Sequence, residues 1–269
     1  MPVNQAVEEA HSRGVLTSAS LMVGAPCADD AVQRSRRLPS LRVGLHLVLV
    51  EGRPVLPPGK IPDLVGRDGN FGSHLVRAGF RFFFLPGVRR QLESEIRAQF
   101  DAFRRTGLAL DHANAHNHMH LHPTVLGLML RVGREYGLKA VRLPNEPPLR
   151  SWRACGGSLA ANAASRAFLS PWMALMKLLL GRAGIKHNDF VFGMSASGRM
   201  TLDTVERLIG NLPGGVTELY FHPASSRCPE IDRDMPDYRH EEEFRALVHP
   251  SLARAIAAAG LERIAFADI

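Results

Sequence analysis

Cysteine is scarce: three residues, Cys27, Cys155 and Cys228, with no CxxC pair, which excludes a disulfide framework and a zinc ribbon. The opening Met-Pro-Val-Asn-Gln-Ala-Val-Glu-Glu lacks the basic and apolar stretches of a signal peptide. No internal repeat is found. Acidic residues are outnumbered, 26 against 33 Lys and Arg, for a net charge of +7. That balance favours acidic partners such as phosphates or an anionic membrane surface. The positive charge is scattered through helices without aromatic interleaving or a binding motif, so a nucleic-acid role is disfavoured. Hydrophobic residues make up 45% and charged residues 22%, enough apolar material for a large core. A cytoplasmic α/β protein of one domain is the expectation, because α/β barrels of roughly 250 residues fold as single units.

Periodicity and punctuation predict helices over 3–13, 27–38, 87–106, 123–136, 201–211 and 240–259. Strands are predicted over 15–23, 41–50, 108–116, 139–143, 190–193, 216–221 and 263–267. The run 41–50 (LRVGLHLVLV) is nearly all apolar, as in a strand buried on both faces. Alternation of this kind argues a parallel sheet with helical crossovers, open or closed into a barrel. Such a protein usually starts with a strand, whereas this chain starts in a helix.

The densest chemistry lies in 111–123, Asp-His-Ala-Asn-Ala-His-Asn-His-Met-His-Leu-His-Pro. His112, Asn114, His116, His118, His120 and His122 share parity, so on an extended strand they line one face. Five imidazoles exceed what one catalytic metal takes from a protein. One or two ligands are expected here, with the rest supporting them or meeting substrate. His46 is the one imidazole of an apolar strand, either a satisfied core histidine or a ligand at a strand end. His222 follows the apolar run Thr-Glu-Leu-Tyr-Phe, and reactive side chains gather at the carboxyl ends of parallel strands. A turn-capping role is the alternative for it.

Taken together, Gly14–Val23, Val43–Leu49, the 111–123 block and Phe221-His222-Pro223 resemble the YdjC-like carbohydrate deacetylase family. The stretch His187–Gly193 resembles its hopanoid biosynthesis-associated branch. The resemblance implies a TIM-barrel-like (β/α) barrel and a divalent metal, Mg or Zn, held by one aspartate and two histidines. The histidines correspond to His46 and His116. The aspartate belongs to an Asp-Asp-Phe-Gly motif ending the family's first strand. No such motif precedes Val3, and Ala28-Asp29-Asp30 lies in a predicted helix and is no substitute. The expectation is a barrel whose first strand is missing, through a misplaced start codon, and a chain that binds metal weakly. The DNA immediately upstream tests this.

For the complete protein the expected reaction is N-deacetylation of a sugar or glycolipid, a hopanoid-linked amino sugar in that branch. The missing aspartate would be the base. His222 is the candidate acid or proton shuttle, since imidazole exchanges protons near neutrality. His118 and His120 are candidates for orienting His116 or meeting sugar hydroxyls. Arg142 is a substrate-binding candidate or a surface ion-pair residue.

Within the single domain, 151–186 reads as a helical insert. Its run Phe168–Leu180 is interrupted by Pro171 and Lys177 and ringed by Arg153, Arg166, Lys177, Arg182 and Lys186. Thirteen residues fall short of the roughly 20 needed to cross a bilayer. The segment suits peripheral contact through 165–184 with the inner membrane face, a lid over an apolar ligand, or packing on the barrel or in a homodimer. Competing functions are a non-catalytic sugar- or lipid-binding barrel and a metal-dependent phosphoesterase, which would want more carboxylates.

Overall fold

The computed structural model describes the backbone of all 269 residues and every side chain except those of Ala161, Asn162, Ser165 and Arg166. The insert's Arg166 therefore lies outside the described side chains. In chain order the elements are α1 (Pro2–Arg13), β1 (Ser18–Leu21), α2 (Ala28–Arg36), β2 (Arg42–Leu47), α3 (Leu75–Phe84), α4 (Pro86–Arg105), β3 (Ala113–Ala115) and α5 (Pro123–Glu135). After these come α6 (Pro148–Cys155), α7 (Leu159–Arg182), β4 (Phe190–Phe192), α8 (Leu202–Ile209), β5 (Thr217–Leu219), α9 (Pro229–Asp234), α10 (His240–Val248) and α11 (Pro250–Ala258). Proline in the first turn of α1, α4, α5, α6, α9 and α11 fits a position whose N–H has no intrahelical partner.

The chain divides into two compact units, one of residues 1–18, 37–41 and 143–269, the other of residues 19–36 and 42–142. In the second unit, β1, β2 and β3 form one sheet in that order. β2 and β3 run parallel, pairing Leu45 with Ala113, His46 with Asn114 and Leu47 with Ala115. Leu45, Leu47, Ala113 and Ala115 are buried; strand alternation puts Gly44, His46 and Asn114 on the opposite face. α4 buries Val88, Leu92, Ile96, Phe100 and Phe103 along one stripe. On that stripe Gln99 bonds both the N–H and C=O of Val48, and Glu95 accepts the N–H groups of Val55 and Leu56. Burial pushes the Glu95 carboxyl up, against those two donors. This clamp holds the loop that follows β2.

In the first unit β4 and β5 pair in parallel, Phe190 with Thr217 through Phe192 with Leu219. Phe192, Met200, Val205, Leu208 and Leu252 form its core cluster. α7 buries Met173, Met176 and Leu180 while Phe168, Leu175 and Leu178 stay exposed.

Several expectations change. The parallel sheets are small and open, three strands and two, where the family resemblance implies a TIM-barrel-like (β/α) barrel. The segment 139–143 contributes a single bridge, Ala113 to Val141, and 263–267 forms no strand. The helix predicted over 240–259 is two helices, because Pro250 offers no N–H and holds His249 extended at φ −74°, ψ 128°. The unpredicted α3 exposes Val76, Phe80, Phe83 and Phe84. Among the described residues no helix is long and apolar enough to cross a membrane.

Candidate metal centre

The register of β2 on β3 sets the site. His46 lies opposite Asn114, and its Nδ1 bonds Asn114 Oδ1 at 2.6 Å. An amide oxygen only accepts, so Nδ1 carries the proton and Nε2 is the unprotonated nitrogen. That Nε2 faces Nδ1 of His116 at 3.5 Å, with ring centroids 5.6 Å apart and planes at 75°. Two nitrogens bound tetrahedrally to one zinc lie roughly 3.4 Å apart, given bond lengths near 2.05 Å. The pair fits two positions around such an ion, and the tautomer of His46 is the one that ligates through Nε2.

Glu51, on the clamped loop, is the carboxylate beside the pair. Its Oε2 lies 3.9 Å from His116 Nε2 and accepts Asn117 Nδ2 at 2.6 Å. Sequence reading missed it, although it stands five residues beyond His46 in an otherwise apolar stretch. Among the described residues, the non-glycine positions with positive φ are Glu51 at 51°, Asn117 at 48° and His118 at 50°. All three adjoin His116 in sequence or space. Left-handed backbone at such residues costs on the order of 1–3 kcal/mol each and clusters where a site over-determines the chain.

Extended backbone therefore ends at Ala115, where a 3-10 turn over His116–Leu121 begins, and shared parity no longer sets direction beyond His116. His120 turns inward and is fully buried. Its Nδ1 accepts the Ala115 N–H and its Nε2 donates to the Arg142 carbonyl. Burial, with the Arg142 charge, pulls its pKa down to about 3, so it stays neutral and locks the turn. His118 lies beside it, ring centroids 6.0 Å apart. His122 precedes α5 against Phe82 and Phe83, with its pKa lowered by burial. Arg142 is buried, so the surface ion-pair alternative does not apply to it.

His222 belongs to the first unit. Its ring meets Tyr220 and Tyr238 edge-on at 5.6 and 5.1 Å, and its carbonyl accepts His240 Nδ1 at 2.6 Å. Glu243 is buried beneath it, accepting the backbone N–H groups of His222 and Met200. Burial outweighs those two donors and pushes the Glu243 carboxyl up to about 7. The Glu241-Glu242-Glu243 run reads as a solvated helix start; only the helical spacing to buried His240, Ala246 and Leu247 marks the third as inward. Among the described residues no group of three or more His, Cys, Asp or Glu is placed to hold a metal.

Known proteins resemble this chain in sequence, and a solved structure resembles it in fold. A "Carbohydrate deacetylase" of Homo sapiens is 31% identical over 99% of this chain and 86% of its own length. One of Geobacillus stearothermophilus is 28% identical over 99% and 91%. One of Brevibacillus brevis is 39% identical over 53% of this chain and 54% of its own length. A solved structure from Enterococcus faecalis, described as a cellobiose-phosphate cleavage protein, superposes with a TM-score of 0.74. It shares 22% identity and covers 99% of this chain and 93% of its own, a likeness of fold. The YdjC-like protein family matches residues 1–258, and the chain belongs to that family.

Proposed function

We propose that this protein is a carbohydrate deacetylase that removes N-acetyl groups from a sugar or glycolipid with the help of a divalent metal, Mg or Zn. The observation that carries the reading is the approach of His46 Nε2 to His116 Nδ1, in a chain whose full-length relatives bear the name carbohydrate deacetylase. His46 and His116 would hold the ion. A bound divalent ion supplies polarisation of the acetamide carbonyl and a water whose pKa falls toward about 7.

The residues of the chain divide the remaining work. Asn114 orients His46, and Glu51 places its carboxyl group beside His116. His222, the acid candidate of the sequence, is proposed as an imidazole able to exchange protons near neutrality. His118 and Arg142 are proposed to meet or position the sugar, and His120 to fix the turn that carries His116. Release of acetate from N-acetylated sugars, measured with and without added metal, tests the reading. Metal-independent release would remove the metal from it, and no release with any metal would remove the activity.

The finer substrate is proposed to be a hopanoid-linked amino sugar, whose polycyclic body needs an apolar shelf. Exposed Phe168, Leu175 and Leu178 on α7 support that choice. Liposome co-sedimentation of the full chain against a deletion of 165–184 tests it, and identical binding would withdraw the membrane contact. A second reading is a non-catalytic sugar- or lipid-binding protein. Sugar binding without turnover in any metal would select it.

A further inference from the structure

One face of the β1–β2–β3 sheet carries a chain of hydrogen bonds that starts at a buried carboxylate and ends at His46. Asp111 Oδ2 bonds His112 Nδ1 at 2.8 Å, both side chains being only 2% exposed. His112 Nε2 bonds Ser20 Oγ at 3.0 Å. Ser20 Oγ accepts Asn114 Nδ2 at 2.9 Å, and Asn114 Oδ1 accepts His46 Nδ1 at 2.6 Å. The four bonds join end to end.

Ser20 Oγ carries one proton and two lone pairs, so toward His112 Nε2 it can either donate or accept. An ionised carboxylate only accepts, so Asp111 takes the proton of His112 Nδ1. His112 Nε2 then accepts the Ser20 hydroxyl, Ser20 accepts the Asn114 amide, and Asn114 offers its oxygen to His46 Nδ1–H. Reversing the chain requires a donor at position 111 and a half-turn of the Asn114 amide, which then offers Nδ2 to His46, and it would leave His46 protonated on Nε2, the nitrogen that faces His116. The sequence also makes room for the relay: a Cβ at Gly44 would stand 2.5–2.6 Å from three atoms of the His112 ring, nearer than a methyl group can approach.

We propose that Asp111, acting through His112, Ser20 and Asn114, is a positioning residue that holds His46 in its Nδ1–H tautomer. The purpose of that tautomer, to offer Nε2 to a metal, rests on the function proposed above; the tautomer itself does not. Outer-shell partners of ligating histidines commonly govern affinity by 10- to 100-fold, and here the partner acts over four hydrogen bonds.

Asp111→Asn keeps the shape and adds a donor able to drive the reverse polarity. The full chain, stripped of metal by chelator, is labelled with ¹⁵N-histidine, and the His46 ring nitrogens are read by NMR. The expected result is Nδ1–H in the parent protein and a shift toward Nε2–H in Asp111→Asn. Ser20→Ala cuts the relay without touching the buried pair, so Asp111→Asn added to it should no longer move the His46 signals, while Ser20→Thr restores the response. Zinc affinity should fall on the order of tenfold to 100-fold in Asp111→Asn. A His46 tautomer unchanged by Asp111→Asn, or a response that survives Ser20→Ala, overturns the proposal. If Asp111→Asn does not fold, the His46 tautomer in Ser20→Ala decides alone: mixed populations support the relay and an unchanged Nδ1–H form overturns it. Covalent labelling of Ser20 by a fluorophosphonate would replace the relay with a nucleophilic serine. A tautomer shift without any zinc binding would sustain the relay and defeat the metal reading.

Discussion

His46 and His116 are 70 residues apart in sequence, yet parallel pairing of β2 with β3 brings Nε2 of the first to 3.5 Å from Nδ1 of the second. Strand register does this: His46 pairs with Asn114, and His116 lies one same-face step further on. If the two rings share one ion, replacing either by alanine should cost more than the roughly 100-fold typical of outer-shell changes. The double variant should then lose little beyond either single one, because one ligand alone holds the ion poorly. Calorimetric titration with zinc and magnesium measures it; independent, additive losses would separate the two rings.

Gly44 faces the His112 ring, and its substitution probes how tightly the sheet face is filled. Gly44→Ala inserts a methyl 2.5–2.6 Å from the ring, and over-packing of that kind costs about 1–3 kcal/mol. Urea unfolding should show the loss. Stability equal to the parent's would mean that the ring swings aside freely.

The imidazole pair was legible from the sequence in part, and the boundary is physical. Parity is a sound guide while the backbone is extended, which holds as far as Ala115. It fails at Asn117 and His118, which take positive φ with no glycine to announce the turn. His120 then becomes a backbone clamp. Ser20 carried no signal at all, since its role depends on which strand lies beside β2. Long apolar-periodic helices such as α4 were found nearly residue for residue, whereas three-residue strands were overextended because hydrophobic runs outlast the hydrogen-bonded ladder.

His120 makes the second unit sensitive to acid. Its pKa is pulled down to about 3, first by burial and then by the Arg142 charge. An unfolded imidazole titrates near 6.5, so the unfolded chain takes up a proton that the folded chain refuses. The resulting stability is present above about pH 6.5 and is lost as pH falls toward 3, by up to on the order of 5 kcal/mol. His120→Gln offers an oxygen and an N–H at a spacing similar to that of the ring nitrogens, without a titrating proton. Its acid-unfolding profile, followed by circular dichroism, should be flatter than the parent's between pH 6.5 and 4. Equal slopes would assign the acid sensitivity elsewhere.

Glu243 imposes the opposite dependence on the first unit. Its carboxyl is pushed up to about 7 because burial outweighs the two backbone donors, His222 and Met200. The folded state therefore prefers the protonated acid, while the unfolded carboxyl ionises near 4.3. Stability from this group is fully present below that unfolded value and is lost as pH rises through about 7, by on the order of 3 kcal/mol. Glu243→Gln keeps one acceptor for the paired N–H groups and removes the ionisation. Urea midpoints at pH 5, 6, 7 and 8 should fall in the parent and stay nearly level in Glu243→Gln. A parent whose midpoint does not move across that range would mean that the carboxylate is stabilised where it lies, by its two donors, in spite of its burial.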